Sequence, residues 1–247
     1  MRLIARLDIK NEYVIKGIHL EGLRKVGNPN ELACSYYLAG IDEIVFMDAV
    51  ASLYDRNNLF DIIELACRNV FIPIAIGGGL RSVDDVSKAL DAGADKVIIN
   101  TGAVGNIKLV EDIARKFGSQ CLIGSIDAKQ NLGSWSAYID NGREPTGLDV
   151  IDWARSLEDA GVGEIFVTSI DQEGTGRGFD VNLVAALQDA TSRPIIASGG
   201  YGKPQHFDKL FAEVTPSAVA FASTLHYNRS SVSCLRNEIK FRIGETN

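Results

Sequence analysis

Short β-branched runs alternate along this chain with longer stretches whose apolar residues recur at helical spacing, the pattern of a parallel sheet joined by helical crossovers. Eight runs read as strands, at 3–7, 44–47, 72–76, 97–99, 122–125, 165–168, 194–197 and 218–222, and their unbroken apolar character suits strands buried on both faces. Helix ends are marked between them. Ser82 stands three residues before Asp85 and Thr146 three before Asp149, as in a capping box, while Gly93 and Gly161 follow Ala-rich last turns. Eight such units predict an α/β fold, a single (β/α)8 TIM barrel. That architecture takes about 250 residues, so the 247 of this chain are expected to form one domain, 1–247. An open doubly wound sheet is the alternative.

The pattern also repeats at an offset of about 120 residues. Ala39-Gly40-Ile41-Asp42-Glu43-Ile44-Val45-Phe46 returns as Ala160-Gly161-Val162-Gly163-Glu164-Ile165-Phe166-Val167, and Leu7-Asp8-Ile9-Lys10 as Ile126-Asp127-Ala128-Lys129. Gly78-Gly79 returns as Gly199-Gly200. The expectation is an internal two-fold duplication, with half-barrel repeats of about 1–120 and 121–247.

Composition narrows the function. A net charge of -7 with no Lys/Arg run argues against nucleic acid as a partner. Four scattered cysteines and three histidines support neither a metal site nor a disulfide framework. The start lacks a signal-type apolar core, and no apolar stretch approaches the roughly 18 residues that a membrane span needs. A cytoplasmic location without membrane association is therefore expected.

In a barrel the chemistry sits at the C-terminal ends of the strands. Asp8 and Asp127 end the first and fifth runs, opposite each other across the mouth, where one carboxyl can donate a proton while the other withdraws one. An isolated aspartate there would as readily cap a loop or pair with Lys10 or Lys129; matched placement favours function. Gly77-Gly78-Gly79 and Ser198-Gly199-Gly200 offer backbone N–H groups without Cβ obstruction, each near a polar pair on the next strand, Asn100-Thr101 and Ala222-Ser223. Two such cradles imply a substrate phosphorylated at both ends. Arg2, Glu43, Lys96 and Glu164 each precede a strand, which gathers two cations and two anions at the bottom opening, either as a structural ring or as a gate.

Other features are read as structural. His226, His19 and His206 are lone histidines, the first open to phosphate contact. Trp135 and Tyr138 alternate as a hairpin strand, Trp153 packs on its helix, and 11–29 is expected to be a loop able to act as a lid.

Over essentially its whole length the chain resembles the cyclase subunits of imidazole glycerol phosphate synthase. The resemblance is carried by Leu7-Asp8-Ile9-Lys10, Ile76-Gly77-Gly78-Gly79, Ala94-Asp95-Lys96-Val97, Phe117-Gly118-Ser119-Gln120, Pro145-Thr146-Gly147, Thr168-Ser169-Ile170-Asp171 and Ile196-Ala197-Ser198-Gly199-Gly200. It implies an ammonia-dependent cyclase/lyase of histidine biosynthesis, with no cofactor. A glutaminase partner would dock on the barrel's N-terminal face, and a doubly phosphorylated ribulosyl-formimino-carboxamide ribotide would become imidazole glycerol phosphate and aminoimidazole carboxamide ribotide. By the same resemblance Asp8 and Asp127 are the acid/base pair and Lys16 holds substrate. Gly79, Asn100 and Thr101 form one phosphate site; Gly174, Gly200 and Ser223 form the other; Asp48, Lys129, Thr168 and Ser169 line the central pocket. Arg2, Glu43, Lys96 and Glu164 match the ammonia gate.

The departures cluster on the top loops. Arg6 stands where a cysteine is usual, Lys25 and Asn28 replace acids, Val50 replaces a threonine, Glu173 an aspartate, and His19 lies in an altered segment. They resemble a divergent branch that, with its glutaminase, supplies ammonia for amidation of a bacterial surface sugar, which is the alternative function. A non-catalytic ammonia conduit and the related sugar-phosphate isomerase complete the alternatives; the bottom gate argues against the isomerase.

Overall fold

The computed structural model describes residues 1–50 and 59–244. Strand β1 (Arg2–Lys10) turns outward into a hairpin of β2 (Tyr13–Ile18) and β3 (Glu21–Gly27), and α1 (Pro29–Leu38) returns to β4 (Glu43–Asp48). Helix α2 (Leu59–Ala66), β5 (Ile74–Gly77), α3 (Val83–Asp91), β6 (Lys96–Ile99), the short α4 (Thr101–Gly105) and α5 (Ile107–Phe117) follow. The same excursion then recurs: β7 (Leu122–Asn131) runs into β8 (Ser134–Ile139) and β9 (Glu144–Asp149) before α6 (Val150–Asp159) and β10 (Glu164–Ser169). Helix α7 (Val181–Ala190), β11 (Ile195–Ser198), α8 (Gln205–Glu213), β12 (Ala218–Phe221), the short α9 (Ser223–His226) and α10 (Val232–Ile243) complete the order.

Parallel pairing runs β10-β11-β12-β1-β4-β5-β6-β7, and β7 pairs with β10 to close the barrel. Two apolar layers result. Outward-facing strand residues such as Leu3, Leu7, Ile44, Phe46 and Ile76 pack under the helices, while Ile4, Val45, Ala75, Ile98, Ile123, Phe166, Ile196, Ala218 and Ala220 fill the lumen. Burying a side chain such as Phe46 or Phe166 contributes about 1.5–3 kcal/mol, so the alternating inward and outward residues hold the cylinder from both sides.

Each of the eight apolar runs falls in a barrel strand, but β1 and β7 continue past the rim. Their apolar character stops there while backbone pairing goes on, with Asp8 opposite Ile15 and Asp127 opposite Tyr138. The region expected to be a loop at 11–29 is therefore mostly a hairpin. Its turn residues His19 and Leu20 both adopt left-handed backbone, at φ 53 and 63, as a two-residue turn requires. The His19 N–H donates to the Glu173 carbonyl at 2.8 Å, and its ring contacts the Ile170 carbonyl through Nδ1 at 2.9 Å, which ties the tip to the loop after β10.

The capping box at Ser82 is present, with Asp85 N–H donating to Ser82 Oγ at 3.1 Å and the Asp85 carboxylate accepting from Ser82 N–H. Ser82→Ala is expected to destabilise by about 1 kcal/mol, read in a thermal melt as a fall in Tm of about 2–4 °C. The second box is a correction: Thr146 lies in β9, donating to the Ala137 carbonyl, and Asp149 itself caps α6 by accepting from Ile151 and Asp152 N–H. Gly93 and Gly161 follow the C-cap residues Ala92 and Ala160 with positive φ, as read. Trp153 is buried against the main core.

Candidate active site

Side chains alternate along a strand, so β1 presents Arg2, Ile4, Arg6 and Asp8 to the lumen in ascending order. Strand β7 likewise presents Ile123, Ser125 and Asp127, and β10 presents Glu164, Phe166 and Thr168. The bottom layer is a closed ring: Arg2 pairs with Glu43 at 2.6 Å and with Glu164, while Lys96 reaches Glu43 at 3.2 Å and Glu164 at 2.7 Å. Above it lies the apolar layer around Phe166.

At the rim, β1 and β7 stand four places apart in the ring of strands, so Asp8 and Asp127 face each other. Their surroundings differ. Burial pushes the Asp8 carboxyl up, but Arg6, at 2.7 Å, and Lys16, at 3.6 Å, outweigh it and hold Asp8 below the ordinary carboxylate range. Among the described residues Asp127 has no comparable ion-pair partner. Burial pushes it to about 6, with the negative charges of Asp8 and Glu173 adding to the effect and Arg6 and Asn100 opposing it. The Asn100 amide donates to Asp127 at 3.1 Å. The two like acids are thus set apart, one held as carboxylate and the other receptive to a proton.

One cavity at the mouth is lined by Arg6, Asp48, Gly78, Gly79, Arg81, Asn100, Thr101, Asp127 and Asn141, which brings the first phosphate set together with Asp48 and Asp127. Gly78 has φ +92, and a Cβ there would sit 2.4 Å from the Asp48 carbonyl, so only glycine lets this loop pass so close to the end of β4. A second cavity is lined by Gly174, Ser198, Gly199, Gly200, Ser223 and Thr224, which assembles the second set. Gly200 is more constrained, with φ +97 and a Cβ position 1.9 Å from the Gly178 carbonyl. Lys16, Gly174 and Ser223 also border a third opening with Arg24 and Arg229.

Not every expected residue joins them. Ser169 follows the inward Thr168, so strand alternation turns it away, and its hydroxyl donates to Asp180 at 3.3 Å rather than lining the central pocket. Lys129 is exposed, its ammonium 5.7 Å from the centre of the Tyr138 ring. Lys16 is buried between Asp8 and Glu173, with a hydrogen bond to the latter.

Tyr36 was not foreseen; its hydroxyl and His226 Nδ1 lie 2.7 Å apart beside this cluster. Burial lowers His226 to about 4, with Lys16 adding to the effect. His206 accepts from Gly202 N–H, and Trp135 donates to Asp180; both are structural contacts.

The fold and the facing acids define a (β/α)8-barrel protein with two glycine-rich cradles at its mouth. The family model of the histidine biosynthesis proteins matches residues 2–231. A subunit HisF of imidazole glycerol phosphate synthase from Legionella pneumophila is 59% identical over 209 residues, 84% of this chain and 99% of its own length. The HisF of Pyrococcus furiosus is 45% identical over 235 residues, covering 95% of this chain and 93% of that protein, and that of Leuconostoc mesenteroides is 42% identical over 241 residues, covering 97% and 95%. The chain belongs to the HisF family of imidazole glycerol phosphate synthase subunits.

Proposed function

We propose that Asp8 and Asp127 are the base and acid with which this chain closes and cleaves a doubly phosphorylated ribulosyl-formimino-carboxamide ribotide, its two phosphates resting at Gly79/Asn100/Thr101 and at Gly174/Gly200/Ser223. The chain is the cyclase subunit type of imidazole glycerol phosphate synthase, a lyase of histidine biosynthesis, and works with a glutaminase. The observation that carries the assignment of roles is the unequal environment of the two acids. Asp8, fixed as carboxylate, withdraws the proton of the attacking nitrogen, and Asp127 returns one to the leaving group. Products are imidazole glycerol phosphate and aminoimidazole carboxamide ribotide.

The glutaminase docks on the bottom face in this reading, and ammonia enters through the ring of Arg2, Glu43, Lys96 and Glu164. The apolar layer above suits neutral ammonia and excludes ammonium. We also read the chain as one domain of two half-barrels, placed in a reducing cytoplasm that fits its four free cysteines. No helix among the described residues is long and apolar enough to cross a membrane.

The sugar-amidation alternative is not favoured. The matched relatives carry the synthase subunit name, and several departures have local structural causes. Asn28 caps α1, accepting from Asn30 and Glu31 N–H; Lys25 lies over the Tyr13 ring at 3.0 Å; His19 docks the hairpin tip.

The test is product formation by the purified chain with ammonium above pH 8, then by its glutaminase complex with glutamine. Both are expected to yield imidazole glycerol phosphate. Lys96→Met should lower the glutamine-driven rate well beyond the ammonium-driven one. Folded protein that turns over nothing with ammonium would refute the reading.

A further inference from the structure

Arg6 is 3% exposed and has no counterpart in the second half, where Ser125 stands two residues before Asp127 on β7. The equivalent position on β7 is filled by a serine, so the duplicated packing does not by itself call for a cation there, and a buried ion pair is weak evidence of stabilisation. Its geometry is that of a crossbar. From β1 the guanidinium holds Asp8 Oδ1 through Nε at 2.7 Å and, through Nη1, Thr168 Oγ1 of β10 at 2.8 Å. Strands β1 and β10 are separated by β11 and β12 on one side and by β4 to β7 on the other, so the side chain spans the lumen. Its Cζ lies 5.6 Å from the centre of the Phe166 ring, in the apolar layer directly above the charged ring. Its other side lines the cavity shared by Gly79, Asn100 and Asp127.

We propose that Arg6 is a plug between the internal conduit and the reaction cavity, a positioning residue that admits ammonia from below only when bound substrate draws its guanidinium away from Asp8 and Thr168. The inference rests on the conduit reading above. Ammonia rising past Phe166 meets a side chain that fills the opening and offers only donors. An anionic or carbonyl group of substrate in the Gly79 cavity competes for the same guanidinium, whose planar fork re-pairs readily with oxygen acceptors. Opening is thereby linked to occupancy of the site, at a level distinct from the bottom ring.

The experiment uses the complete glutaminase complex, with glutamine carrying heavy nitrogen in its amide and unlabelled ammonium in the buffer, and reads the label in the imidazole product. The native complex is expected to retain the label at every substrate concentration. Arg6→Ala should lose it severalfold when substrate is far below saturation and regain it at saturation, because bound substrate then fills the mouth. Arg6→Lys reaches Asp8 but cannot also hold Thr168, and should fall between. Thr168→Val, which cuts the tether to β10 and leaves the Asp8 pair, should follow Arg6→Ala and serves if that variant does not fold. Full retention in these variants at all substrate concentrations overturns the plug, as does an equal loss at low and saturating substrate, which would mean that Arg6 acts through Asp8 alone. Mixing with bulk ammonium in the native complex overturns the conduit reading itself, and the plug with it.

Discussion

Asp127→Asn is expected to lower ammonium-driven turnover by about 10²–10⁴-fold while leaving the folded barrel at least as stable as the native one. Asparagine keeps the shape and accepts the Asn100 hydrogen bond, but it carries no transferable proton. Its effect on stability follows from linkage. An acid raised to about 6 in the folded chain, against an ordinary 3.8, binds its proton more tightly there than when unfolded. Its stabilising effect is fully present below the unfolded value and is lost as pH rises through about 6, a difference of at most about 3 kcal/mol. The variant should therefore lack the native protein's decline in Tm across that window. Near-native turnover would remove Asp127 from the reaction; an unchanged decline would show that another group titrates there.

Asp8→Asn is expected to damage both properties. Arg6 would then lose the carboxylate it holds at 2.7 Å, leaving Glu173 and Asp127 to balance both Arg6 and Lys16, and breaking a buried ion pair costs about 3–5 kcal/mol, or a fall in Tm on the order of 10 °C in a barrel of this size. Turnover should fall as in Asp127→Asn, because the withdrawn proton has no other acceptor at that position. The two losses separate in a double variant. Removing the cation with Arg6→Met in the Asp8→Asn background should recover most of the Tm and none of the turnover, a coupling that a double-mutant cycle measures. The pH dependence runs opposite to that of Asp127: the stability contributed by ionised Asp8 is present above its ordinary value and is lost as pH falls below it. Equal thermal stability of native and Asp8→Asn proteins would mean that the cations are not held by this carboxylate.

The barrel was legible because its signal is redundant. Eight apolar runs, amphipathic spacers and glycine stops all point to one closed architecture, and duplicated motifs mark the same strand ends twice. That repetition is what singles out Asp8, Asp127 and both glycine-rich turns in the sequence. The hairpin after β1 was hidden because its turn is His19-Leu20 instead of an Asn-Gly pair, and β3 alternates too little to announce a strand. Thr146 misled because Asp149, three residues on, is itself a good cap. Ser169 was assigned by resemblance, although the alternation fixed by Thr168 already turned it away. What no local pattern carries is the protonation of the two acids, which arises from Arg6, Lys16 and Glu173 converging from three segments.

Asp8 and Asp127 stand where the apolar runs end but not where the strands do, since β1 and β7 continue beyond the barrel. Each is hemmed in by two neighbours, Asp8 by Ile15 and Met47 and Asp127 by Tyr138 and Thr168. A residue laced into the sheet on both edges has no hinge. The gap between the two carboxyls is thus set by the barrel wall and not by the hairpins that rise from it, and whatever adjusts between them must be a ligand or the side chains around it.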